Sequence, residues 1–138
     1  MSTGYRLDDQ VGFVLRQAHQ RHAALFASLM IEGLTPTQWA AMSKLAEVGA
    51  CSQNLLGRLT AMDAATIKGV IDRLVLRGFA RAVPDAEDAR RRLIDLTPLG
   101  AELCARAAPL AHEITARTLS PLEPDERELL VALLKRLA

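Results

Sequence analysis

Apolar residues near the start of the chain recur at alternating spacings of four and three: Val11, Leu15, Ala18, His22, Leu25 and Leu29 share one stripe, and Phe13, Val14 and Phe26 widen it. This period predicts a helix over residues 7 to about 30, with more apolar surface than a solvent-facing helix carries and therefore a seam that packs on another helix. Gly33 ends it. Thr35-Pro36 pairs an N-cap with a proline at the first helical position and opens a second helix, through Trp39, Met42 and Leu45 to about residue 48, where Gly49 stops it. Ser52 caps a short third helix over 53–59, and Asp63 caps a fourth over 64–77, closed by Gly78.

After Gly78 the period changes from helical to alternating. Residues 79–83 and 93–96 are short strand candidates on either side of a charged turn, which makes a β-hairpin with a long tip. Thr97-Pro98 repeats the cap and proline signal and starts a helix that continues toward Leu119. The segment SPLEP breaks the chain at 120–124, and a final amphipathic helix over 125–137 carries Leu129, Leu130, Leu133, Leu134 and Leu137. The predicted order is four helices, a hairpin and two helices, a mainly α chain of 138 residues in one domain.

Composition narrows the class. Half of the residues are hydrophobic and 24% are charged, which suits a globular chain and argues against long disorder. No stretch reaches the length of a membrane span, and MSTGYRLDDQ lacks the apolar segment of a secretory leader, so a cytoplasmic location without membrane attachment is expected. Cys51 and Cys104 are too few and too distant for a disulfide framework or a zinc site and are read as reduced and structural. The net charge of +1 is unevenly distributed: residues 53–92 hold eight bases and five acids, leaving the rest of the chain acidic on balance. A basic middle between mildly acidic ends is the charge pattern of a DNA-reading module held by helices that do not read DNA.

Residues 53–74, QNLLGRLTAMDAATIKGVIDRL, place two short helices about a tight connection, the spacing of a helix-turn-helix. Gly57 falls where the helices must approach, and Leu56, Met62, Ile67 and Val70 lock them together; Thr60 stands where an apolar residue is more usual. On the second helix Ile67, Val70, Ile71 and Leu74 share the buried side, which turns Ala65, Lys68, Gly69 and Asp72 outward, with Thr66 and Arg73 on the flank. Such a small-residue face fits a major groove, with Ala64 or Ala65 against a thymine methyl, Lys68 toward guanine acceptors, and Thr66 and Arg73 toward phosphates. Ser52 and Gln53, where the first of the two helices begins, complete this candidate set.

The stretch PDAEDARRRLIDLT at 84–97 follows immediately. A charge run is usually only a solvated face, but a hairpin with arginines at its tip directly after a reading helix is the arrangement of a winged helix-turn-helix. Asp88-Ala89-Arg90, five residues, then Leu96-Thr97 fits the wing signature D-x-R-x5-(L/I)-T of the MarR family of bacterial transcriptional regulators. The preceding TIKGVIDRL and RGF also resemble that family's reading helix and its exit, and the likeness extends over essentially the whole chain. It implies a homodimer made by flanking dimerisation helices (about 5–32 and 98–138) around a DNA-binding lobe (about 35–97), a pseudo-palindromic double-stranded operator, and a repressor released by a small molecule. Carried over to this chain, Arg90 resembles the wing-tip arginine of the minor groove and Asp88 the acid that braces the wing through Arg81 or Arg73. Of Arg91 and Arg92, which exceed the signature, one is expected on phosphate and the other in solvent, with Asp85 and Glu87 keeping the tip soluble.

The first helix carries LRQAHQRH, with His22 in the seam, His19 at its edge, and Arg16 and Arg21 pointing outward. Three readings compete: a core histidine hydrogen-bonded to backbone or to a partner subunit; an effector site where Arg16, His19 or His22 holds a carboxylate or phenol and Trp39 and Met42 form an apolar wall; and a metal, for which no third ligand stands at a natural spacing. The same stretch with TPTQW resembles MarR-type regulators of aromatic-compound catabolism, which implies an aromatic acid or its coenzyme A thioester as effector. No phosphate-cradling glycine loop, nucleophile elbow or acid–base pair is present, so neither an enzyme nor a cofactor or metal is expected. A winged-helix module for architecture or protein contacts, without an effector, is the alternative.

Overall fold

The structure, a computed structural model, describes residues 3–138; Met1 and Ser2, the start of the stretch read above as carrying no leader, lie outside the described residues. A 3-10 turn over Leu7–Asp9 precedes α1 (Val11–Leu29), followed by α2 (Pro36–Val48), α3 (Gln53–Leu59), α4 (Ala64–Leu76), β1 (Ala80–Pro84), β2 (Arg92–Leu96), α5 (Pro98–Thr118) and α6 (Pro124–Arg136). The expected order holds, with one early correction. The first helix begins at Val11 and not at residue 7, because Gln10 is extended (φ −90°, ψ 135°) and interrupts the helical ladder. Contacts divide the chain into two compact units, one ending at Leu29 and resuming over Ala111–Ala138, the other Met30–Leu110.

In the Met30–Leu110 unit, Met42, Leu45, Leu56, Ile67, Leu74 and Leu103 are fully enclosed side chains. The helix starts are built as their sequences require. Thr35 Oγ1 accepts from Gln38 N at 3.2 Å while Gln38 Oε1 accepts from Thr35 N at 3.2 Å, a reciprocal capping box. Ser52 Oγ accepts from Leu55 N and Asp63 Oδ1 from Thr66 N, at 3.2 and 2.8 Å. Gly57 is needed where α3 meets α4: a Cβ there would stand 3.1 Å from Ile67 Cγ2 and 3.2 Å from the Met62 carbonyl. Thr60 answers its unusual slot by donating its hydroxyl to the Leu56 carbonyl at 2.6 Å.

The hairpin is antiparallel, with Ala80 opposite Leu96 and Pro84 opposite Arg92. Cys51 adds a one-residue third rung: its N–H donates to the Ile94 carbonyl at 3.1 Å, and Ile94 N–H donates to the Cys51 carbonyl at 2.7 Å. Both cysteines are free and buried, and burial pushes both thiols up. The start of α5 is fixed by Thr97, whose hydroxyl donates to the Gly78 carbonyl at 2.6 Å and accepts from Gly100 N at 3.0 Å. Gly100 lies so close to Phe79 that a Cβ would sit 2.0 Å from its carbonyl oxygen.

In the other unit, Phe26 of α1 and Ile114 of α5 are buried. Arg21 donates to the Thr118 and Arg117 carbonyls at the end of α5. No residue of α6 is buried; Leu129, Val131, Leu133, Leu134 and Leu137 are exposed there, as are Val11, Val14 and Leu15 on α1. Among the described residues no helix is long and apolar enough to cross a membrane.

Candidate nucleic-acid interface

The α4 face opposite Ile67, Val70, Ile71 and Leu74, all of which are buried, exposes Ala64, Ala65, Thr66, Lys68, Asp72 and Arg73. Gly69 is half-buried, yet a Cβ built there meets nothing within 4 Å, so the middle of this face is both small and open. Lys68 Nζ pairs with Asp72 Oδ2 at 2.8 Å across one helical turn. At the start of α4, Asp63 caps the Thr66 N–H. That hydrogen bond holds its carboxyl below the usual carboxylate range.

Beside α4 stands the wing. Its tip is organised by its own acids: Asp85 Oδ1 accepts from Glu87 N, and Asp88 Oδ1 from Arg90 N, each at 3.0 Å. These are local aspartate turns, so Asp85 shapes the tip and does not merely keep it soluble. Asp88 also receives Arg90 Nε at 3.3 Å. This corrects the expected brace: Asp88 pairs with Arg90 of its own loop and not with Arg81 or Arg73, because the tight turn brings the Arg90 backbone and side chain to one carboxylate oxygen. Arg90 itself is 92% exposed in its side chain and extends from the tip.

Asp85 faces Arg91 at 3.9 Å. Arg92, at the first position of β2, lines a cleft of about 390 Å³ with Gln53, Ile71, Asp72, Val75, Ala82 and Ile94. Arg92 therefore stands beside α4, a placement absent from the predicted set. Asn54 and Arg58 of α3 border a second hollow of about 210 Å³ with Ala64 and Ile67; neither was singled out from the sequence, since one polar face of a two-turn helix carries no periodic signal. Ser52, Gln53, Ala65, Thr66, Lys68, Gly69, Arg73, Asp88, Arg90 and Arg91 all lie in the Met30–Leu110 unit.

The residues expected around an effector are distributed differently. Arg16 lies over the Phe13 ring, 5.6 Å from its centroid, and His19 is exposed. His22 Nδ1 is 2.9 Å from Thr118 Oγ1. The Thr118 hydroxyl also lies 2.8 Å from the Ile114 carbonyl, to which it can donate. Trp39 is half-buried against the core of its unit, and Met42 is fully enclosed in that core.

A family model described as MarR family matches residues 32–91. The transcriptional repressor NicR of Pseudomonas putida is 35% identical over 99% of this chain and 87% of its own length. Among solved structures, a probable transcriptional regulator from Pseudomonas aeruginosa is 55% identical with a TM-score of 0.93, covering 96% of this chain and 100% of that one. BpsR of Bordetella bronchiseptica, whose DNA binding is regulated by 6-hydroxynicotinic acid, is 39% identical with a TM-score of 0.91, covering 96% of both chains.

Proposed function

The chain belongs to the MarR family of transcriptional regulators, and on that premise we propose that it is a dimeric, cytoplasmic repressor that reads a pseudo-palindromic operator and leaves it when a small aromatic acid binds. The observation that carries the DNA part is a small, open α4 face set in the same compact unit as an arginine-tipped hairpin. Lys68 and Ala65 are placed to read base edges, Thr66, Arg73 and Arg91 to hold phosphate, and Arg90 to follow the minor groove. Arg92 and Gln53, which share the cleft beside α4, extend the phosphate contacts.

The apolar residues left exposed on α1 and α6 support a homodimer. The repressor reading follows the likeness to NicR, and the aromatic acid follows the likeness to BpsR. On the protein side, Arg16, His19 and His22 of α1 supply the polar groups for a carboxylate or a ring hydroxyl. The test is operator binding, followed by fluorescence anisotropy, with and without 6-hydroxynicotinic acid and other aromatic acids. Weakened binding with one of them is expected. Unchanged affinity across acids and their coenzyme A thioesters would leave a winged-helix module without an effector.

A further inference from the structure

Four chain segments meet at Arg77, and none of the DNA contacts above accounts for the meeting. Arg77 is the C-cap of the reading helix. Its Nη2 donates to the Glu32 carbonyl, just beyond α1, and its Nη1 donates to Gln38 Oε1 in the first turn of α2 at 3.4 Å. Its Cζ stands 4.8 Å from the centroid of the Phe79 ring, at the entry to the wing. All four residues belong to the Met30–Leu110 unit.

Each partner is itself fixed. Gln38 is buried and uses the same oxygen for the Thr35 N–H in the capping box. Phe79 is buried, its carbonyl accepts from Thr97 N at 3.1 Å, and its backbone meets Gly100. Glu32 adopts a left-handed conformation (φ 57°) that a residue with a Cβ resists, and Gly33 follows at φ 61°. The chain thus leaves α1 through a turn with two left-handed residues, and Arg77 holds that turn by its carbonyl. The acceptors are a backbone carbonyl and a side-chain amide, so the contact depends on direction more than on charge. A planar fork that also stacks on a ring is something arginine offers and lysine does not.

We infer that Arg77 is a positioning residue for operator reading: it ties the Glu32–Gly33 turn, where the chain leaves α1, to the C-terminal end of α4 and the entry to the wing. The inference rests on the reading of α4 and the wing as the DNA interface, and it gives the Glu32–Gly33 turn a route to that interface through one side chain. A change in the turn reaches α4 as long as the guanidinium holds both ends.

Arg77→Lys, which keeps the charge and the stem, is the working variant, and amide hydrogen exchange without DNA is the first measurement. The Leu34 amide, bonded to the Ile31 carbonyl, and the Gly78 and Phe79 amides, bonded to Val75 and Leu74, are expected to lose protection together by about tenfold, as for a local opening. Cys51 and Ile94 keep theirs. Loss spread equally to Cys51 and Ile94, or unchanged protection at Leu34, overturns the inference. In the second measurement, Gly33→Ala raises the Kd for a site selected from random DNA about fivefold in the wild type and less than about twofold in Arg77→Lys, the non-additivity of a coupled pair. Additive effects contradict it. If no DNA site is selected at all, the proposed function fails, while the exchange result still decides the role of Arg77.

Discussion

Three of the cations proposed to meet DNA are held by acids of their own element: Lys68 by Asp72, Arg90 by Asp88 and Arg91 by Asp85. The Lys68–Asp72 pair, exposed on both sides, contributes only about 0–1 kcal/mol, so a phosphate or a base edge can replace that acid at small cost. Asp72→Asn is therefore expected to tighten binding to unrelated duplex DNA about two- to fivefold at low salt, with a smaller effect at high salt. Lys68→Ala should cost about 1–3 kcal/mol on the selected operator and relax preference at one base pair, whereas Arg90→Ala should weaken binding and reduce the preference for a narrow A·T minor groove. Anisotropy titrations on permuted duplexes at one salt concentration check all three. Arg90, whose side chain is exposed at the tip of the hairpin, was singled out in the sequence by a spaced signature. Its partner was not, because an aspartate turn is set by the two or three residues around it, and the expected brace from Arg81 or Arg73 looked past the loop.

At the scale of elements, the caps set where the helices start. Thr35, Ser52 and Asp63 were all legible, since N-cap chemistry is local and precedes a periodic apolar run. Asp63 makes a pH prediction. Its folded carboxyl lies below the ordinary range, so its contribution is complete above the unfolded carboxylate pKa and is lost as pH falls through the folded value. Asp63→Asn keeps a cap without a titrating group; its Tm should lose less than the wild type on acidification from pH 6 toward about pH 3, measured by circular dichroism. Gly100→Ala belongs here too, because it forces α5 off the Phe79 backbone. A destabilisation of about 3 kcal/mol is expected in urea unfolding, against about 1 kcal/mol for Gly57→Ala, whose Cβ would press on a methyl at 3.1 Å and a carbonyl at 3.2 Å, closer than ordinary contact but short of the Gly100 clash with fixed backbone at 2.0 Å. The Cys51–Ile94 rung had no sequence signal. A bridge of one residue has no alternation to read, and the same holds for the contacts of Arg77, which join segments 39 and 45 positions apart.

At the scale of the molecule, the apolar stripes on α1 and α6 were read as packing surfaces, and in the single chain much of them stays open. Open faces of that kind mark an interface, so Leu134→Glu should convert a dimer to a monomer in sedimentation while leaving the fold of the Met30–Leu110 unit intact. Operator affinity should fall with it, since half-sites bound singly lose the gain of a linked pair. The effector remained the least legible part: the Thr118 partner of His22 lies 96 positions off in the sequence, and Met42, expected with Trp39 as an apolar wall, is a core residue. The measurement that bears most directly on the whole account is selection of bound sites from random duplex DNA by the full chain. A palindrome with half-site centres about 10 bp apart, with preference relaxed at one base pair per half-site in Lys68→Ala and reduced over the A·T minor groove in Arg90→Ala, is the predicted result. No enriched sequence, or a single unpaired half-site bound as well by both variants, would contradict it.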